Sequence, residues 1–388
     1  MSRILLKNAQ VVSEDGQLFH GYILIENKKI LSVGTMNQCP DVQIKQTIDL
    51  HPDFIISPGF IDIHIHGAAG ADVMDGTAKA LSTIAQALPS EGTTSFLATT
   101  ITQEVQQIES ALKNTAEFFS SPGESEMIGI HLEGPFINKS KAGAQPDAHI
   151  LKPNIPLLSR WRKISGNKIK MVTYAPENDL DLSFIKYIAH QQMIAAIGHS
   201  DGSYKEIERA ANNGASHITH LFNGMRGMHH REAGAAGAAL LLDSLTNEII
   251  ADGYHICPEM VSLALKMKGL ERIILITDSM RAKYLQDGQY ELGGQKVFVA
   301  DGMAKMVDGT LAGSILKMNE AVRNMMDFSG LNVVEAIQLA SANPAKKLGL
   351  FHRKGSIAPG KDSDLVVLDP KMNVVLTICR GEISYERT

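Results

Sequence analysis

From Phe54 onward, short apolar runs alternate with longer amphipathic ones, and that rhythm leaves few folds open. Eight short runs read as strands: Phe54–His64, Thr94–Thr99, Met127–Leu132, Ile169–Tyr174, Met193–Gly198, His217–Leu221, Glu248–Ala251 and Arg272–Ile276. Between them, Ala78–Leu88, Glu104–Phe119, Leu182–His190, Tyr204–Asn212 and Pro258–Lys268 carry helical periodicity. Strands rich in Ile, Val and Phe are covered on both faces, as in a parallel sheet. The count predicts an α/β chain with a (β/α)8 TIM-type barrel over residues 54–349. A doubly wound sheet is the alternative, but it concentrates its chemistry at one switch point.

The flanks read differently. Ile4–Leu6, Gly21–Glu26 and Lys29–Val33 are β-rich, with a tight turn at Asn27-Lys28. Met280–Ser314 is Gly-rich and polar, an extended loop or hairpin over the barrel mouth. Helical patterns return at Leu316–Phe328 and Val333–Ser341, and β patterns at Ser363–Leu368 and Val374–Ile378. Residues 1–53 and 350–388 are therefore expected to join in one small, discontinuous, β-sandwich-like domain.

Composition excludes several classes. A net charge of -5 leaves no basic stripe for nucleic acid. Cys39, Cys257 and Cys379 are few, odd in number and far apart, which fits reduced thiols and a cytoplasmic protein. The N-terminus lacks the apolar run of a signal peptide, and no run is long enough for a membrane helix.

The chemistry gathers at strand ends, where a barrel carries its site. Side chains alternate along a strand, so His64 and His66 share a face. Glu133 follows the third strand, His199 the fifth, His220 the sixth, Asp252 and His255 the seventh, and Asp278 the eighth. Converging imidazoles and carboxylates suit a divalent metal, Zn2+ or Fe2+.

In these motifs the chain resembles the N-acetylglucosamine-6-phosphate deacetylase family of the amidohydrolase superfamily. The matching pieces run in order from Pro58-Gly59-Phe60-Ile61-Asp62-Ile63-His64-Ile65-His66-Gly67 through His131-Leu132-Glu133-Gly134-Pro135, Gly198-His199-Ser200 and Thr219-His220-Leu221-Phe222-Asn223-Gly224. They continue through Arg231-Glu232-Ala233-Gly234, Asp252-Gly253-Tyr254-His255 and Thr277-Asp278. The resemblance implies Glu133, His199 and His220 as main metal ligands, His64 and His66 as ligands of a second ion, and Asp278 as general acid/base. It implies that Asn223, the Gly224 backbone, Arg231 and His255 hold a sugar phosphate. Read without it, Arg231 is a surface charge, Asn223 a turn residue, and His229 and His230 solvated loop residues. One departure stands out: Gln145 occupies a substrate-facing position where relatives often carry His. Gln donates a hydrogen bond but cannot become charged.

The implied activity is hydrolysis of the acetamide of N-acetylglucosamine 6-phosphate, with one or two metal ions, by a homodimer. N-acetylgalactosamine 6-phosphate, an N-acyl amino acid or a cyclic ureide are the rival substrates of the superfamily. A non-enzymatic scaffold is the remaining alternative, but such chains typically lose ligands or the strand-eight Asp, and this one keeps them.

Overall fold

The computed structural model describes residues 3–41 and 43–387. One of its two eight-stranded sheets runs in sequence order: Phe60–Ile65, Thr93–Thr100, Glu126–Glu133, Ile169–Tyr174, Ile194–Ile197, Ala215–Ile218, Thr246–Ile249 and Ile273–Leu275. All neighbours pair in parallel, His131 for instance lying between Thr99 and Met171. The ring closes just beyond the eighth strand. There the Asp278 N–H donates to His64 O and the His66 N–H to Ser279 O, both at 2.9 Å. This is the (β/α)8 barrel that the βα rhythm predicts.

Helices cover the outside, most of them with an apolar stripe toward the strands. In Val105–Glu117 the stripe is Ile108, Ala111, Leu112 and Thr115, all buried at helical spacing. Caps set the boundaries: Ser203 accepts from the Glu206 N–H, and Pro258 opens Pro258–Lys268 where no intrahelical N–H is needed. Phe60, Leu97, Trp161, Phe184 and Ile249 belong to one continuous core. Each such side chain contributes about 1.5–3 kcal/mol on burial.

The helices Ile155–Ile164 and Gly234–Leu241 are absent from the sequence reading. Gly234–Leu241 is buried from Gly234 to Leu240, so it has no polar face to create a period. The strand read over Phe54–His64 is two strands that belong to different sheets. Ile55–Pro58 pairs with Arg3–Val12 and Leu365–Leu368, while Phe60–Ile65 enters the barrel. Gly59 makes the transfer: a Cβ there would lie 2.2 Å from Thr94 Oγ1. Apolar residues on both sides of Gly59 hide the break.

Both chain ends share the second eight-stranded sheet. Arg3–Val12, Leu18–Glu26, Lys29–Thr35, Gln46–Asp49 and Ile55–Pro58 join Leu365–Leu368, Val374–Cys379 and Glu382–Glu386. The sheet wraps a separate core of Leu6, Ile23, Ile25, Ile56, Val367 and Ile378. The edge strand Lys29–Thr35 is tied to the segment before Leu365–Leu368, where the Ile30 N–H donates to Lys361 O. Buried Lys354 bridges the sheet to the barrel, pairing with Glu126 at 2.8 Å and with Asp364. Within the expected mouth loop, Gly288–Leu292, Gln295–Ala300 and Met303–Lys305 form a three-stranded antiparallel sheet. Among the described residues, no helix is long and apolar enough to cross a membrane.

Candidate metal centre

His64 lies near the end of the first strand and His66 just beyond it, and both are buried. Glu133 ends the third strand. His199, His220 and Asp278 follow the fifth, sixth and eighth strands with φ of 47°, 29° and 47°. A left-handed backbone costs a residue with a Cβ about 1–2 kcal/mol, and such strain gathers at functional sites. Here the bend turns all three side chains over the barrel axis.

The hydrogen bonds fix how each imidazole is presented. The Nδ1–H groups of His199, His220 and His66 donate to backbone carbonyls: Lys141 O at 2.8 Å, Asn223 O at 3.1 Å and Thr99 O at 3.2 Å. His64 Nδ1–H donates to Glu248 Oε2 at 3.0 Å. A carbonyl or carboxylate only accepts, so each Nδ1 carries the proton, and in the neutral imidazole it is Nε2 that offers a lone pair. All four lone pairs aim at Glu133 and Asp278. His199 Nε2 and His220 Nε2 lie 3.2 and 3.0 Å from Glu133 Oε1, and 3.1 Å from each other. His66 Nε2 lies 3.3 Å from Glu133 Oε2 and 3.2 Å from Asp278 Oδ1. His64 Nε2 is buried without a hydrogen-bond partner, 3.5 Å from both carboxylates. Lone pairs and carboxylate oxygens at these separations repel unless positive charge sits among them. The donor set fits a divalent cation. Two ligand groups result, Glu133–His199–His220 and His64–His66–Asp278.

Acid–base behaviour shows the same demand for positive charge. Burial works against a charged His66, yet Asp278 and Glu133 raise its pKa to about 10. Burial would raise Glu133, but the surrounding histidines hold it well below the usual carboxylate range. His131 behaves in the opposite way. Burial, seconded by His64, pushes it down to about 3, and it stays outside the cluster, with Nδ1–H on Ile63 O and Nε2 against Thr173 Oγ1.

The cluster floors a cavity of about 280 Å³. Gln145, Asn223, Gly224 and His255 line it, with Ile101, Leu292 and Leu311 as its apolar wall. A Cβ on Gly224 would meet His199 Nδ1 at 2.9 Å, so this position needs glycine. His255 Nδ1–H donates to Asp252 Oδ2 at 2.6 Å; burial opposes charge on His255, but Asp252 outweighs it and raises the pKa. Gln145 is held at both ends: Oε1 accepts from the Thr102 N–H and Nε2–H donates to Glu133 Oε2, each at 2.7 Å. Arg231 is not in the cavity. It is exposed beside His229 and His230, with its guanidinium 2.6 Å from His230 Nε2.

Glu248 is the residue that reading the sequence for function missed. Its sequence context marks only the start of a strand, yet it is fully buried and holds His64. The available signal is an acidic side chain at the head of the apolar run Ile249-Ile250-Ala251, since a charge that enters the core with that strand needs a partner.

The sequence profile of the Amidohydrolase family matches residues 55–384. The chain is similar to N-acetylglucosamine-6-phosphate deacetylase of Bacillus subtilis (strain 168), 46% identical over 98% of this chain and 97% of the relative. It is 36% identical to N-acetylgalactosamine-6-phosphate deacetylase of Escherichia coli O157:H7, over 85% of this chain and 88% of the relative. Among solved structures, N-acetylglucosamine-6-phosphate deacetylase from Thermotoga maritima superimposes with a TM-score of 0.88 at 36% identity, covering 99% of this chain and all of that one (100%). A Mycobacterium smegmatis deacetylase mutant in complex with N-acetyl-D-glucosamine-6-phosphate gives 0.90 at 29% identity, covering 99% and 100%.

Proposed function

Because this chain belongs to the amidohydrolase family and, within it, to the N-acetylglucosamine-6-phosphate deacetylases, we propose that it hydrolyses the acetamide of N-acetylglucosamine 6-phosphate to glucosamine 6-phosphate and acetate. The observation that carries this reading is the convergence of four Nε2 atoms on two carboxylates at the base of one cavity, with His64 buried behind its lining. The family's chemistry is that of a divalent metal. Glu133, His199 and His220 would hold one ion and His64 and His66 a second, and these ligand types suit Zn2+ or Fe2+. When bound, the cation lowers the pKa of a water and polarises the amide carbonyl.

The remaining steps belong to the protein's own groups. Asp278 Oδ1 takes the proton from the attacking water and returns it to the amide nitrogen, which leaves badly as an anion. Gln145 lines the acyl side, though both ends of its amide are already engaged. Asn223, the Gly224 backbone and His255 face the sugar phosphate, with a His255 biased toward its charged form by Asp252. Binding energy from that remote anion orients the reacting amide.

Arg231 completes the phosphate set in this reading. Its exposure outside its own chain's cavity supports a homodimer with the His229–Arg231 loop near the subunit interface. Three unpaired cysteines and a phosphorylated substrate support the cytoplasm as its place of action. The 36% identity to a galactosamine-type relative keeps the epimer in view as a second substrate.

The test is acetate release from N-acetylglucosamine and N-acetylgalactosamine, each with and without a 6-phosphate, using metal-analysed enzyme. Turnover of N-acetylglucosamine 6-phosphate far above its unphosphorylated form is expected. Equal rates with and without phosphate would overturn the assignment.

A further inference from the structure

Glu248 sits in the middle of the site's support and takes no part in the mechanism above. Its carboxylate is fully buried and accepts three hydrogen bonds, each 3.0 Å long. Oε2 takes the His64 Nδ1–H and the backbone N–H of His220; Oε1 takes His217 Nε2–H. One oxygen therefore touches a residue from each ligand group. The bond from His64 leaves its Nε2 lone pair facing Glu133 and Asp278. The bond from His220 anchors that residue in its left-handed conformation.

A competing reading makes Glu248 a ligand itself, because His64, His131 and Glu248 also lie close enough together to hold an ion. The hydrogen bonds argue against it. Glu248 already accepts from three donors, and both nitrogens of His131 are taken by Ile63 O and Thr173 Oγ1.

We propose that Glu248 is a positioning residue that determines whether the His64–His66 half of the site holds an ion. This rests on the two-ion reading of the cluster. The physical reason is specific. Without a charged acceptor the Nδ1–H bond weakens, and His64 more readily carries its proton on Nε2, which then faces the carboxylates as a donor and cannot ligate. A carboxylate acceptor also makes the imidazole a stronger donor to a cation, and losing such a partner typically costs about 10–100-fold in metal affinity.

The experiment is Glu248→Gln, read by metal analysis after dialysis against a graded chelator and by Co2+ titration followed through its visible absorption. Wild type should hold about two ions per chain. The variant should bind its weaker ion roughly 10–100-fold less tightly, while circular dichroism confirms the fold. In a His64→Asn background the same change should add little further loss of that ion, because Glu248 acts through His64. Two ions held by Glu248→Gln with wild-type affinity would overturn the proposal. Wild type holding fewer than two ions would instead overturn the two-ion reading, so the two failures are distinguishable. Should Glu248→Gln fail to fold, Glu248→Asp keeps the charge and shortens the reach by one methylene. It is expected to show the same selective weakening, and wild-type binding in it would equally refute the idea.

Discussion

Asp278→Asn is the sharpest perturbation of the proposed chemistry. Asp278 is buried with Oδ1 3.2 Å from His66 Nε2 and 3.5 Å from His64 Nε2. Its backbone closes the barrel: the N–H donates to His64 O, and its carbonyl accepts from the Ser314 N–H at 2.8 Å. Asn preserves those bonds and tolerates the φ of 47°, whereas Ala would add strain of about 1–2 kcal/mol. What Asn lacks is basicity. A positioned acid/base contributes about 10²–10⁴-fold, or roughly 2.7–5.5 kcal/mol at about 1.36 kcal/mol per tenfold. Because Asp278 serves as base and then as acid, the loss should fall at the upper end. The assay is acetate release at saturating substrate, with metal content and thermal melting measured in parallel. Loss of kcat and kcat/KM together, with metal and fold retained, is expected. A variant keeping more than about a tenth of wild-type turnover would refute the role.

Other outcomes follow from separate parts of the molecule. Arg231→Ala should lower kcat/KM for the phosphorylated sugar by about one to two powers of ten, a charge-assisted bond contributing roughly 1.5–3 kcal/mol. Basal rates on the unphosphorylated sugar should not change, and equal losses on both would remove the phosphate assignment. Glu91→Ala strands Lys283, which is fully buried and 2.7 Å from Glu91 Oε2. Breaking such a pair costs about 3–5 kcal/mol, so the urea midpoint should fall clearly; an unchanged midpoint would contradict the buried pairing. Alkylation of the native enzyme should mark exposed Cys257 and spare Cys379, whose thiol burial pushes up to about 12. Mass mapping that finds Cys379 modified before Cys257 would show the reverse.

Much of the fold was legible because barrel strands advertise themselves. Ile169–Tyr174 and Pro258–Lys268 fall where their apolar patterns place them. What escaped lacked contrast with its surroundings. Gly234–Leu241 has no polar face, and the passage through Gly59 joins two apolar strands of different sheets. At the site, side chains that end strands were visible as motifs, and the structure gathers His64, His66, Glu133, His199, His220 and Asp278 within contact distance. Their orientation was not visible, since it depends on the Lys141, Asn223 and Thr99 carbonyls and on Glu248, brought close only by folding. Arg231 shows the limit of a motif: its residue type suits phosphate, but its own fold leaves it in solvent.

Four imidazoles and two carboxylates converge because a cation belongs among them and drives deacetylation. The most direct test is to strip the protein with a chelator and titrate Zn2+ or Fe2+ back while following acetate release from N-acetylglucosamine 6-phosphate. Activity should vanish on removal and return in proportion to bound metal, saturating at about one to two ions per chain. Full turnover by protein with no metal above background would contradict the account.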